Sequence, residues 1–117
     1  MTVGHTSFPK TSRLKLASDF RDILKNGKSF RESGLVLYFR KSSTKDSRLG
    51  IVVSKRVLKR AVDRNRVKRV IREYFRKEKA NFSIASDIVI RTFQDHQLLN
   101  SSNLREILSK LFKKAHG

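Results

Sequence analysis

The segment between Lys59 and Lys77 concentrates groups that bind phosphate. It holds two carboxylates, Asp63 and Glu73, against nine basic side chains: Lys59, Arg60, Arg64, Arg66, Lys68, Arg69, Arg72, Arg76 and Lys77. An arginine fork can grip a phosphate at two points, whereas Asn65 adds a neutral donor and acceptor that can contact a sugar hydroxyl, a base edge or a phosphate. This chemistry predicts a nucleic-acid-binding surface.

A helical wheel sorts the segment into two faces. One face is apolar, with residues at helical spacing: Val67, Val70, Ile71, Tyr74 and Phe75. The opposite face forms a ladder along roughly 16 Å of helix axis; its members are Asn65, Arg69, Arg72 and Arg76, flanked by Arg66 and Lys68. Like charges three and four residues apart repel, and the ladder has little acidic relief. The pattern therefore favours RNA or DNA binding over a merely solvated face.

Basic amphipathic helices also lie on membrane surfaces or dock on calmodulin. The apolar side of this helix is rich in β-branched residues, which suit packing on a sheet, and candidate strands flank the segment. Both alternatives are therefore less favoured than a helix that covers a sheet and leaves its arginines free to bind.

The whole chain carries the same charge bias. Its 117 residues are enough for one compact domain, which we assign to residues 1–117 with residues 1–13 as an irregular, flexible arm. Lys and Arg total 28 against 10 Asp and Glu, a formal charge of +18 that predicts a polyanionic partner. The chain has no cysteine, no bilayer-spanning apolar run and no signal-peptide pattern. We therefore expect a soluble, cytoplasmic protein.

A second candidate surface combines aromatic and basic side chains. In the predicted strand Gly34–Arg40, Tyr38 points to the opposite face from its two neighbours. Together with Phe20 it could stack the unpaired bases of a nucleic acid, while Lys55 and Arg56 neutralise the phosphates of that nucleic acid. The residue types leave open, about equally, that Phe20 and Tyr38 belong to the core.

The elements that must position these groups follow the order α, β, β, β, α, β, α. Ser18 as N-cap and Gly27 beyond the end predict a helix over Asp19–Asn26. β-Branched and aromatic runs predict strands, weakly at Ser29–Arg31 and clearly at Gly34–Arg40, Arg48–Ser54 and Asp87–Arg91. A last helix begins behind a cap at Ser102 or Asn103. The order predicts an α+β sandwich of about four strands with helices packed on a face.

The sequence contains no motif that is typical of a catalytic site in a protein. The ten carboxylates are dispersed, and no pair makes a convincing metal or acid–base site. The five glycines form no phosphate-binding loop. The residues therefore indicate a binding protein without chemistry of its own. One function of this kind is that of a structural RNA-binding protein of ribosomal type. A stand-alone nuclease is a further alternative, but it would need a carboxylate site that the sequence does not show.

The basic helix closely resembles the signature of the bacterial ribonuclease P protein family, in the stretch AVDRNRVKRVIREYFR (Ala61–Arg76). Further stretches similar to the family are RLKLASDFRDILKNGKSF, SRLGIVVSKR and DIVIR. The resemblance implies an α/β sandwich, of a fold shared with a ribosomal protein, with an unusual left-handed βαβ crossover through the basic helix. It also implies an accessory subunit that joins a catalytic RNA, one to one, and assists removal of the 5′ leader from precursor tRNA. The resemblance also implies that the catalytic RNA cleaves the precursor, with Mg²⁺ ions that are held mainly by the RNA and the substrate.

By position, the resemblance assigns two sets of residues and no catalytic or metal-binding side chain. The helix face that meets the catalytic RNA comprises Arg64, Asn65, Arg66, Lys68, Arg69, Arg72 and Arg76. The cleft that takes the single-stranded leader comprises Phe20, Tyr38, Lys55, Arg56 and Ala61. The chain departs from the family pattern twice. Leu24 stands where some members have a second cleft aromatic, and Arg56–Ala61 lacks the glycine that many have before the helix.

Overall fold

A computed structural model describes residues 17–42, 46–82, 84–93 and 100–116. The predicted arm, residues 1–13, lies outside these ranges. The order of elements is the one predicted: α1 Ala17–Asn26, β1 Lys28–Glu32, β2 Leu35–Lys41, β3 Arg48–Val52, α2 Ala61–Glu78, β4 Ser86–Thr92 and α3 Ser101–His116, with a short 3-10 turn, Lys79–Asn81, after α2. The α+β prediction is confirmed. Within the described ranges, no helix is both long enough and apolar enough to cross a membrane.

The four strands form one sheet in the order β1-β2-β4-β3. β2 pairs antiparallel with β1 and β4, whereas β3 and β4 are parallel. Parallel neighbours need a long crossover, and α2 supplies it, as the strand–helix–strand prediction requires. The left hand of this crossover stays a prediction from the resemblance. The weak strand at Ser29–Arg31 is real and longer than expected, and β3 ends at Val52 instead of Ser54.

The main core lies between the sheet and the pair of helices α2 and α3. Alternate residues of β2 and β4, such as Leu37 and Ile90, face this side because successive side chains of a strand point to opposite faces. The helices contribute buried residues at helical spacing: Val67, Val70, Ile71 and Phe75 from α2, and Leu104, Ile107, Leu108, Leu111 and Phe112 from α3. The predicted apolar faces of both helices are confirmed.

The opposite face of the sheet carries α1. Its fully buried Ile23 packs on Val89 of β4, and the half-buried Phe20, Tyr38 and Val52 surround that pair. Tyr38 thus points away from the main core and packs in the smaller cluster under α1, which decides a question that the sequence left open. α1 covers one part of this sheet face, and the rest of the face positions the side chains discussed below.

Gly27 ends α1 as predicted, but the reason is close packing. A Cβ at Gly27 would lie 2.6 Å from the carbonyl oxygen of Ile23 and 2.9 Å from that of Phe39, closer than real Cβ atoms come. None of the described glycines has a positive φ. Glycine is therefore needed here because a side chain would collide with the last turn of α1 and with the backbone of β2, not for a left-handed turn.

Two predicted helix caps are wrong. α1 begins at Ala17, which places Ser18 inside the first turn. In α3 the Oδ1 of Asn100 accepts a hydrogen bond of 3.1 Å from the backbone N–H of Asn103, the bond of an N-cap to the third helical residue. Asn100 is therefore the cap, in place of Ser102 or Asn103. Each helix starts earlier than its first apolar residue indicated.

Candidate nucleic-acid interface

Burial of one side of α2 leaves its basic side accessible. Val67, Val70, Ile71 and Phe75 are buried, so the positions opposite them face away from the sheet. Asn65, Arg66 and Arg69 are exposed, and Lys68, Arg72 and Arg76 are half-buried. The structure thus brings these predicted RNA-binding residues onto one helix in the predicted arrangement.

Arg64 has a structural role that the sequence reasoning missed. Its Nη1 donates hydrogen bonds of 2.9 Å to the carbonyl oxygens of both Leu58 and Lys59. Leu58 belongs to the main core, and the helix N-cap, Arg60, has no side-chain capping bond. Arg64 therefore ties the chain before α2 to the first turn of the helix. Position 60 has none of the usual N-cap residues Ser, Thr, Asp or Asn, and this is the sequence signal that another side chain must stabilise the start of the helix.

Arg76, the last member of the ladder, is paired within the helix. Its Nη2 contacts the Oε1 of Glu73, one turn earlier, and this hydrogen bond raises the pKa of Arg76. The expectation of little acidic relief is therefore wrong for this end of the helix. Arg69, by contrast, is exposed and has no carboxylate partner among the described residues. The charge of Arg76 is thus balanced within the helix, whereas that of Arg69 is accessible.

A partly exposed aromatic and apolar surface lies where α1 packs on the sheet. Phe20 of α1 and Tyr38 of β2 are half-buried beside Ile23 and Val89, so each ring is part core and part surface. Leu24, one turn after Phe20, is 36% exposed and extends the apolar surface without a ring. We call this surface, with Phe20, Tyr38 and Leu24, the α1 cleft.

The other residues predicted for the leader lie in the connection that follows β3. Lys55 and Arg56 are exposed in a turn, and Ala61 is the exposed first residue of α2. Ser54 organises this turn: its Oγ accepts from the N–H of Arg56 at 3.0 Å, and its carbonyl oxygen accepts from the N–H groups of Val57 and Leu58. The turn closes without a glycine, and Leu58 is buried in the main core.

Beneath α1 the structure brings together five charged side chains, which we call the aspartate–arginine cluster. Asp87 of β4 is fully buried and receives two hydrogen bonds from Arg48, from Nε at 2.9 Å and Nη2 at 2.7 Å. Arg40 of β2 donates to the same carboxylate at 3.2 Å. Arg40 also reaches two aspartates of α1, Asp19 at 3.1 Å and Asp22. The cluster therefore fastens α1 to the middle of the sheet.

The pKa values of Asp22, Arg40 and Arg48 each shift in the direction that favours the charged form. Hydrogen bonds from Asn26 and Arg40 lower the pKa of Asp22. Burial lowers the pKa of Arg40, but hydrogen bonds to the three aspartates raise it more. The pKa of Arg48 is raised, chiefly by its hydrogen bonds to Asp87. The cluster thus places three carboxyl groups around two guanidinium groups.

The sequence reasoning treated these carboxylates as dispersed, and this was wrong for three of them. The pairing of β2 and β3 with β4 sets Arg40 and Arg48 on either side of Asp87, a proximity that depends on strand order. Each carboxylate is nevertheless occupied by arginine. Among the described residues, no group of three or more His, Cys, Asp or Glu is arranged to hold a metal ion.

Comparisons with known proteins agree with this fold. The ribonuclease P family model matches residues 8–116. The ribonuclease P protein component of Desulforapulum autotrophicum is 40% identical over 112 residues, 96% of this chain and 95% of that protein. That of Thermotoga maritima is 38% identical over 115 residues, 95% and 97% of the two chains.

Solved structures give the same result. The RNase P protein of Staphylococcus aureus superposes with a TM-score of 0.82 at 34% identity, over 91% of this chain and 96% of that one. The RNase P protein of Thermotoga maritima gives a TM-score of 0.74 at 37% identity, over 90% and 98%. The chain belongs to the ribonuclease P protein family. It is therefore a protein subunit of a tRNA-processing ribonucleoprotein, and its partner is an RNA subunit.

Proposed function

We propose that this chain binds the catalytic RNA of ribonuclease P, one to one, through the exposed basic face of α2. The observation that carries the proposal is the division of α2 into a buried apolar side and an accessible side with Asn65, Arg66 and Arg69. Arginine contacts phosphate in a fixed fork geometry, and Asn65 adds a directional neutral contact. Together they orient the protein on RNA that the +18 charge attracts from a distance.

The 5′ leader of a precursor tRNA is proposed to enter the α1 cleft. Phe20 and Tyr38 are half-buried, which leaves ring surface on which unpaired bases can stack. Lys55 and Arg56 are exposed in the turn after β3 and would neutralise leader phosphates, while the small Ala61 leaves room at the start of α2. Binding of this kind reads an unpaired strand with little dependence on its sequence.

The proposed role in cleavage is support for chemistry that the RNA performs. The described carboxylates near the cleft are paired with arginine, so no step is assigned to a metal held by the protein. Mg²⁺, held mainly by the RNA and the substrate, supplies the Lewis-acid chemistry when bound. Basic side chains of the protein screen phosphate repulsion between the two RNAs, which lowers the Mg²⁺ concentration needed for leader removal.

The test is a cleavage assay at low Mg²⁺ with the catalytic RNA alone, the protein alone and both together. We expect both together to remove the leader faster than the RNA alone. No gain over the RNA would contradict the proposal and favour a structural RNA-binding protein of ribosomal type. Cleavage by the protein alone would instead indicate a stand-alone nuclease.

Replacement Tyr38→Ala tests the leader site separately. Since one base–aromatic stack is worth about 1–3 kcal/mol, we expect weaker binding of a precursor with a long leader and unchanged binding of mature tRNA. Phe39→Leu is the matched control, because Phe39 lies next in β2 but packs on the main core. Equal losses for precursor and mature tRNA would place the Tyr38 ring in the core and not in the leader site.

A further inference from the structure

An exposed aromatic side chain stands where β4 ends. Phe93 follows Thr92, the last residue of the strand, and 46% of its surface is exposed. Its backbone N–H donates a hydrogen bond of 2.7 Å to the carbonyl oxygen of Gly34, which fixes it beside the turn between β1 and β2. The guanidinium carbon of Arg31 lies 4.2 Å from the ring centroid. The ring of Phe93 is thus held in place, carries the guanidinium group of Arg31 on one face and is partly exposed to solvent.

The strand register shows which face of the sheet carries this group. Arg31 is opposite Val36, and Val36 is opposite Arg91. Residues directly opposite one another share a face, and Val36 shares its face with Tyr38, two residues later in the same strand. Arg31 and the exposed Arg91 therefore lie on the same face as Tyr38, displaced by about 7 Å along the strands.

This arrangement has the chemistry of a single-stranded nucleic-acid site. An exposed phenyl ring offers a surface for any base, and arginines beside it pair with the adjoining phosphates. Arg31 covers one face of the ring in a cation–π contact, which leaves the remaining exposed surface for one base. Arg31 and Arg91 also add positive charge to the sheet face that carries the aromatic residues of the α1 cleft.

We propose that Phe93, with Arg31 and Arg91, forms a base-stacking site for an unpaired nucleotide of an RNA strand. The site extends the α1 cleft by one more position along the same sheet face. This inference rests on the proposed function, since the strand in question is the 5′ leader that enters the α1 cleft. It adds an aromatic contact to a cleft in which Leu24 offers no ring.

A fluorescence titration tests the stacking directly. The chain has no tryptophan, so Phe93→Trp introduces a single indole at the proposed site. Ile84→Trp is the matched control, because Ile84 is 57% exposed but precedes β4, so that the whole strand, about 20 Å long, lies between it and Phe93. A single-stranded RNA of about eight nucleotides should quench the emission of the Phe93→Trp protein in a saturable way. An abasic strand of equal length and charge should not.

Three results would overturn the site: no quenching, equal quenching of the Ile84→Trp protein, or equal quenching by the abasic strand. The last would mean that the surface attracts phosphate without stacking a base. Circular dichroism melting of each variant shows that the fold is retained, and Phe93→Tyr, which keeps the ring, should bind as the unmodified protein does.

The holoenzyme separates failure of this site from failure of the proposed function. With the catalytic RNA present, Phe93→Leu should weaken binding of a long-leader precursor about tenfold, the effect of one lost stack. It should leave binding of a precursor with a very short leader unchanged. If the unmodified protein shows no preference for long leaders, the proposed function fails. If it shows that preference and Phe93→Leu keeps it in full, only the Phe93 site fails.

Discussion

The exposed face of α2 and the aspartate–arginine cluster are both built from arginine, but the surroundings of those arginines differ. On α2, Arg69 is exposed and has no carboxylate partner within the described residues. In the cluster, Arg40 and Arg48 are mostly buried and each contacts the fully buried Asp87. The first arrangement leaves charge for an external anion, and the second uses it to join α1 to the sheet. The partner contributed by neighbouring elements therefore decides what an arginine does.

Removing the central carboxylate should give the largest effect. Asp87→Asn keeps the side-chain size but leaves two mostly buried guanidinium groups without their shared anion. Breaking a buried ion pair on one side is strongly destabilising, and we expect a loss of about 3 kcal/mol in the free energy of unfolding. Urea denaturation measures it.

Glu73→Gln is the matched control for that experiment. It also removes a carboxylate from an arginine, but the Glu73–Arg76 pair lies on the surface of α2, where such pairs contribute little. Equal unfolding free energies for the Asp87→Asn and Glu73→Gln proteins would remove the distinction between the two regions.

Arg64 lies between the two kinds of arginine, because it belongs to the basic helix but binds backbone. Arg64→Ala leaves the carbonyl oxygens of Leu58 and Lys59 without this donor. Hydrogen bonds from a charged donor contribute about 1.5–3 kcal/mol, and we expect a loss of about 1.5 kcal/mol in the free energy of unfolding because water can replace part of the bond. Urea denaturation measures the free energy of unfolding of this variant. The Arg69→Ala protein is the control, and it should be as stable as the unmodified protein. A stability equal to that of Arg69→Ala would mean that Arg64 only faces solvent.

Arg69→Ala should change RNA binding and leave stability unaltered. If one phosphate contact is lost, the plot of log affinity against log salt concentration becomes shallower by roughly 0.7 to 0.9. Arg105→Ala, on an exposed position of α3, serves as the control with the same change in charge. An unchanged slope for Arg69→Ala, or an equal change for both, would show that the face of α2 has no special role.

The smallest expected effect is a dependence of stability on acid pH. The pKa of Asp22 is lowered by hydrogen bonds from Asn26 and Arg40, so its contribution is present at neutral pH and is lost as the pH falls below the ordinary value of 3.8. Asp22→Asn should therefore be less stable than the unmodified protein at pH 7, and the difference should shrink in acid. Urea denaturation between about pH 5 and pH 2 measures it. A difference that is constant with pH would contradict this assignment.

Local patterns were enough to predict α2 and its faces. Val67, Val70, Ile71 and Phe75 repeat at the period of the helix, and periodicity is a property of neighbouring residues. The alternation along β2 also predicted that Tyr38 points to the opposite side from its neighbours, but not which side faces the main core. The caps were less predictable, because Asn100 lies before the apolar pattern begins and its side chain could equally have belonged to a loop.

The aspartate–arginine cluster could not be read from the chain. Arg48 and Asp87 are 39 residues apart, and they meet only because β4 inserts between β2 and β3. Phe93 was missed for the same reason, since its contact with Arg31 depends on the hydrogen bond that holds it at the β1–β2 turn. The assignments of Phe20, Tyr38, Lys55 and Arg56 to a leader site remain predictions.

By itself, the sequence determined the order of elements, the basic face of α2 and the resemblance to a ribonuclease P protein, because each depends on residues close together in the chain. Only the tertiary structure decided which arginines remain available. Arg40 and Arg48 are paired with aspartates from distant elements, and Arg64 donates to backbone carbonyls of the segment before α2. The physical reason is that an arginine pairs with the acceptors that lie within a few ångströms of its guanidinium group, and folding sets those distances.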